Sequence, residues 1–178
     1  MSEATPAPAS APSSSPASGL VYGDVPNRVF AMIIDMIALF VINLIVGIVL
    51  FAVLSGVIGS LVSAAISLAI GGAYFVYFWT KRRATLGMQV LGLQIGTAPS
   101  GETITQDQAI RRWLALYAAF SIASVLTSAL PVIGFLVGLA SLGWVIFLLV
   151  TTAQSPNKQG WHDKFANTMV VKAAKSVG

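Results

Sequence analysis

The sequence predicts an all-α membrane fold: four transmembrane helices arranged as two hairpins, with a short cytoplasmic two-stranded ribbon. Three observations carry that prediction. The 178-residue chain is 56% apolar and only 9% charged, with a mean hydropathy of +0.84, whereas soluble domains are about a quarter charged. Residues 36–80 and 113–157 contain no charged side chain at all. The Lys and Arg residues crowd into the segments that flank these two gaps.

Each gap is 45 residues long. As one helix it would measure about 67 Å, more than twice the ~30 Å hydrocarbon core, so each gap folds into two spans joined by a turn. Ser55, Gly56, Gly59 and Ser60 interrupt the first gap, and Pro131 interrupts the second, because the residue before a proline is driven out of helical geometry. The spans expected are 27–54, 57–79, 110–129 and 132–152.

Outside the spans, residues 1–19 are almost wholly Ala, Ser and Pro, too poor in apolar surface to offset the entropy of ordering, and are expected to form a disordered tail. They lack the cationic and apolar segments of a secretory signal. Residues 20–172 then form one transmembrane domain, and 173–178 a short C-terminal tail.

Orientation follows from the cations. Lys81, Arg82, Arg83, Arg111 and Arg112 lie between spans two and three, Lys158, Lys164, Lys172 and Lys175 follow span four, and Arg28 opens span one. Both termini and the central loop are therefore expected in the cytoplasm, in a multi-pass arrangement. An odd number of spans could not produce this pattern. The net charge of +4 then points to anionic lipid headgroups rather than nucleic acid, with Lys81, Arg82 and Arg83 as a lipid-facing basic cluster. Trp79, Trp113 and Trp161 are expected as interfacial anchors.

The central loop has structure of its own. Leu91, Leu93 and Ile95 alternate with Gly92, Gln94 and Gly96, the period of a strand with one apolar face, and Leu91–Ile95 is expected to pair with Thr168–Val171. Thr105 followed by Gln108 is a capping-box pattern that starts the helix leading into span three.

Candidate chemistry is sparse. There is no cysteine and a single histidine, His162, so thiol redox chemistry, disulfides and Cys or His metal cages are excluded or improbable, and no cofactor is expected. No nucleophile turn or carboxylate pair suggests an enzyme. Asp35 stands out, about nine residues into span one. A carboxylate at that depth must face protein or water, either as a proton or cation site or as a buried anchor bonded to another helix or to Arg111 or Arg112. Arg28 lies two turns earlier on nearly the same face, so its partner is a lipid phosphate or another element. Arg28, Arg111 or Arg112, and Asp163 share one interface depth and are expected to form a charged network tying the ribbon to the bundle, with Asp35 beneath. Asn43 is expected as interhelical glue. Ser55, Gly59, Ser63, Ser67 and Gly71, with Gly134 and Gly138, are expected as close-packing steps.

Several of these residues also carry a family pattern. The segment from Arg28 through Ala31 to Asp35, then Thr85-Leu86-Gly87 and Leu91-Gly92-Leu93, then Gly160-Trp161-His162-Asp163-Lys164 and Thr168-Met169-Val170-Val171, resembles the RDD family of bacterial membrane proteins across roughly residues 22–172. The family's arginine and two aspartates fall on Arg28, Asp35 and Asp163. Relatives carry basic residues just after Thr-Leu-Gly, where this chain has Met88 and Gln89. The resemblance implies a bacterial cell membrane location. For function it implies either transport, including cation and proton exchange or a small ligand, or a non-enzymatic scaffold that serves as accessory subunit of a membrane complex. The partners expected are the bilayer and either a homo-oligomer or other membrane proteins.

Overall fold

The computed structural model describes residues 20–173; the Ala/Ser/Pro-rich segment 1–19 and residues 174–178 lie outside the described residues. Four long helices make the body: α1 (Val25–Val53), α2 (Gly56–Tyr77), α4 (Gln106–Ala129) and α5 (Pro131–Gln154). A π-helical turn over Phe78–Arg82 extends α2. At one end of the body sit the short helices α3 (Leu86–Val90) and α6 (Trp161–Phe165) and the strands β1 (Leu93–Thr97) and β2 (Thr168–Lys172), which together form a cap.

The long helices begin and end where the local chemistry requires. Pro26 lies in the first turn of α1, where its missing N–H costs nothing. Gly56, at φ 69°, supplies the left-handed residue that turns α1 into α2, and Pro131 opens α5 directly after α4. Thr105 and Gln108 close the expected capping box at the start of α4.

The body is apolar on the outside and polar within. Phe40, Ile48, Phe51 and Phe135 are each more than 60% exposed, while Asp35, Thr85, Arg112, His162, Asp163 and Thr168 are buried. Water would make this arrangement unstable, and hydrocarbon makes it the expected one. Among the described residues three helices are long and apolar enough to cross a membrane: Val25–Val53, Gly56–Arg82 and Val132–Gln154. Three of the four expected spans are thus met. The fourth long helix, α4, packs against α2 and α5 but opens on the polar run Gln106–Arg112, which makes it the least apolar of the four.

The cap is a small antiparallel sheet. Ile95 pairs with Val170 and Gly96 with Met169, so the first strand lies two residues later than the alternation of Leu91, Leu93 and Ile95 suggests; Leu91 closes α3 instead. An isolated strand pair is marginal, and here the chain before α1 supports it. Tyr22 bridges Val171, Gly23 N–H donates to the Val170 carbonyl at 2.9 Å and Lys172 N–H to Val21 at 2.8 Å. Strand β2 therefore has backbone partners on both edges, and Val170 joins Leu93 and Ile95 in the main apolar cluster.

Of the small-residue steps, Gly59 is buried close against Leu54 at the end of α1 and Gly134 is buried, but Gly71 and Gly138 are not used as expected. A Cβ on Gly71 or Gly138 would meet nothing within 4 Å, so neither glycine lies against a neighbouring helix. Asn43 donates to the Leu39 carbonyl of its own helix at 2.8 Å rather than bridging two helices, since that carbonyl is one turn away and always in reach. Trp79 is 3% exposed, and packs inside the bundle instead of anchoring at a lipid interface, because its ring lies beneath a guanidinium, as described below.

Candidate functional site

Asp35 is held by the first turn of α3. Helix N-termini leave their leading N–H groups without partners, and here all three are served through one carboxylate. Gly87 N–H donates directly to Asp35 Oδ1 at 2.8 Å. Thr85 caps the helix, accepting from Met88 N–H and donating its hydroxyl to Asp35 Oδ2 at 2.5 Å. Tyr74 on α2 accepts from Leu86 N–H and donates to Asp35 Oδ1 at 2.7 Å. Every partner of the carboxylate is a donor, and both oxygens are occupied. The approach requires Gly87: a Cβ there would collide with the Ala31 backbone of α1.

Asp163 is fully buried at the third position of α6, where it accepts the Gly160 N–H at 3.1 Å. Two guanidiniums converge on it. Arg28 reaches Oδ2 at 2.8 Å, and also donates to the carbonyls of Gly23 and Val170. Arg112 pairs with Oδ1 and donates to the Thr168 hydroxyl at 2.7 Å. One carboxylate thus joins α1, α4 and α6, its two arginines carry the tie on to Thr168 and Val170 of β2, and the geometry fastens the cap to the body.

Burial opposes charge on the two buried ionisable groups of α6, His162 and Asp163. For His162 burial dominates and, with the repulsion of Arg112 and Arg28, outweighs the attraction of Asp163, pushing the imidazole down to about 4. For Asp163 burial pushes upward, but Arg112, followed by His162 and Arg28, holds the carboxyl well below the usual range. Since His162 is neutral at pH 7, the two guanidiniums hold Asp163 ionised there.

An aromatic ladder on α2 connects the two carboxylates. Tyr74 contacts Phe75 and Phe78, and Phe75 contacts Trp79 and stacks on Tyr117 of α4 at 4.5 Å. Trp79 ends the ladder beneath Arg112, 5.4 Å from guanidinium carbon to ring centroid, a cation–π distance. Beside it lies a cavity of ≈130 Å³, bounded by α1, α4 and α5 and walled mostly by apolar side chains. No group of three or more His, Cys, Asp or Glu able to hold a metal is found among the described residues.

The family model for RDD matches residues 22–167, which include Arg28, Asp35, Arg112 and Asp163. The chain belongs to the RDD family. No curated protein and no solved structure matches it. The match ends at 167, one residue before the strand that completes the sheet of this RDD protein.

Of the RDD pattern, the structure brings Arg28 and Asp163 into direct contact, adds Arg112 as a second partner of Asp163, and sets Asp35 apart from them. Arg111 lies outside the cluster, paired with Asp107 one turn away on an exposed face. Of the basic run, Lys81 and Arg82 are exposed, but Arg83 turns inward, donating to the carbonyls of Ile95 and Gly101. Sequence reading missed Tyr74, Trp79 and Thr168 as partners. Tyr74 left a signal: it precedes Lys81 by the seven positions that separate Asp35 from Arg28, and in an antiparallel hairpin equal spacing from the interface means equal depth. Trp79 and Thr168 left none, since only the packed bundle places them beneath and beside Arg112.

Proposed function

We propose that this RDD protein is a non-enzymatic, four-span scaffold or accessory subunit that binds other membrane proteins, with α4 as the fourth span. One observation carries the reading. Asp35 is the only acid within the three apolar helices, and both its oxygens are already taken by Tyr74, Thr85 and Gly87. A carboxylate so engaged serves poorly as a carrier for a proton or cation, because each loading step would break hydrogen bonds that also end a helix. Proton relays further need several stations. Unspent packing surface agrees with a scaffold: a Cβ on Gly47, Gly71, Gly138 or Gly143 would meet nothing within 4 Å, leaving positions where a partner helix, from another copy or another protein, approaches closely.

The described Lys and Arg residues lie on the cap or in the helix turns next to it, which supports a cytoplasmic cap, cytoplasmic termini and contact of Lys81 and Arg82 with anionic lipid in a bacterial cell membrane. The chain has no cysteine, so single cysteines report orientation cleanly. Ser100→Cys and Lys158→Cys should label from the cytoplasm and Ser55→Cys from outside; residues 100 and 158 on opposite faces would refute the topology.

Transport of a small ligand is the second reading, favoured by the cavity beside Arg112. Liposomes with an internal pH-sensitive dye separate the two. The scaffold reading expects no proton flux under Na⁺, K⁺ or Li⁺ gradients, whereas a cation-dependent flux abolished by Asp35→Asn would overturn it.

A further inference from the structure

The cavity between α1, α4 and α5 has an unusual wall. Most of it is apolar, contributed by residues such as Met32, Phe120, Val145 and Leu148. Its size, ≈130 Å³, is far above the ~10–15 Å³ that admits a single water. Two of the side chains that line it carry buried N–H groups without a hydrogen-bond partner, Arg112 Nε and Trp79 Nε1. Both residues are more than nine-tenths buried, at 5% and 3% exposure. Unsatisfied buried donors cost about 1–3 kcal/mol each, so two on the wall of one largely apolar pocket, with the guanidinium carbon 5.4 Å from the indole ring centroid, form a site lacking its acceptor. A third lining side chain, His162, also leaves a buried polar atom, Nδ1, without a partner.

Charge points the same way. At this end of the cavity Arg28 and Arg112 share a single carboxylate, Asp163. The other acid of the wall, Asp35, lies about 10 Å deeper along α1 and is already met by three donors. Two of the lining residues, Phe120 and Leu149, are 43% and 38% exposed on the outer, apolar surface of the body, which offers a way in. A ligand entering there arrives from the acyl region with its head toward the cap.

The geometry points to this cavity as a binding site for a single-tailed amphiphile with an oxyanion head, a carboxylate or phosphate accepting from Arg112 Nε and Trp79 Nε1 while its tail lies along Val145 and Leu148. The site is compatible with a scaffold or a transporter, and its test does not depend on that choice.

Native mass spectrometry and thermal unfolding of the purified full chain in a neutral detergent decide it, with dodecanoate, dodecyl phosphate, dodecanol, dodecyltrimethylammonium and inorganic phosphate as probes. Dodecanoate and dodecyl phosphate should bind one per chain and raise the melting temperature. Dodecanol should bind at least about tenfold more weakly, the cationic amphiphile should not bind at this stoichiometry, and inorganic phosphate should fail for want of a tail. Trp79→Phe keeps a ring under the guanidinium and removes one donor, and should weaken dodecanoate about tenfold. Val145→Phe fills the apolar end without touching a charge and should weaken both anionic amphiphiles. Equal binding of all the amphiphiles, inorganic phosphate matching dodecyl phosphate, or full affinity in either folded variant would overturn the assignment.

Discussion

Asp35 and Asp163 are both buried carboxylates that join the cap to the body, yet they are stabilised by opposite means. Asp35 is met by two hydroxyls and one backbone N–H, all neutral. Asp163 is met by two guanidiniums and one backbone N–H. Neutral donors let a carboxylate act as a local fastener, since losing it strands only uncharged groups, at about 1–3 kcal/mol each, less than stranded charges cost. Charged donors make the carboxylate indispensable, because without it two cations are left face to face in a low dielectric. The same residue type thus closes a helix terminus in one place and balances charge in another.

Substitution of each acid tests this contrast. Asp163→Asn should have the largest effect, a loss of about 3–5 kcal/mol, seen as a lower yield of inserted protein and a lower melting temperature in detergent. If Asp163→Asn and Asp35→Asn proved equally harmful, the distinction between charged and neutral fastening would fail.

Acidification comes next and acts on one site only. His162 is neutral in the folded state, with its pKa pushed from 6.5 to about 4, so between these values the unfolded chain binds more protons and stability falls as pH drops. The loss across that window is on the order of 3 kcal/mol. Asp163, whose pKa is depressed, adds a loss of the same sign only below about pH 4, as the unfolded carboxyl begins to protonate. Melting measured from pH 7.5 to 4.5 should show this slope, and His162→Gln should flatten it; an unchanged slope in the variant would remove His162 from the account.

Asp35→Asn keeps the shape but gives up a charged acceptor and turns an amide toward donors, and should cost about 1.5–3 kcal/mol. Thr85→Ala, which removes the cap of α3 and one donor to Asp35, should cost about 1 kcal/mol. Arg111→Ala is the control. Its exposed pair with Asp107 should contribute at most about 0.5 kcal/mol, against the severe loss expected of its neighbour Arg112.

Much of this was legible in one dimension, where the solvent imposes a simple code. Charge-free runs marked the hairpins, Ser55 and Gly56 marked one turn and Pro131 the other, and Thr105 with Gln108 marked the start of α4. The site was legible only in part. Arg28 and Asp163 stood out because charge near the bilayer needs a partner, but Arg111 and Arg112 were indistinguishable: adjacent helical residues point about 100° apart, and only the packing of α4 chooses which faces inward. Asp35 was visible as an anomaly, but its partners come from a loop fifty residues later and from a tyrosine on the next helix.

The residue pattern alone settled which segments are apolar, where they turn and at which end of the helices the cations gather, because transfer between water and hydrocarbon acts on composition and needs no knowledge of contacts. Three-dimensional packing chose which arginine meets Asp163, why position 87 must be glycine, and where two N–H groups stay unpaired beside a cavity. Hydrogen bonds and ion pairs act over a few ångströms, so their partners exist only once distant stretches of chain have been brought together.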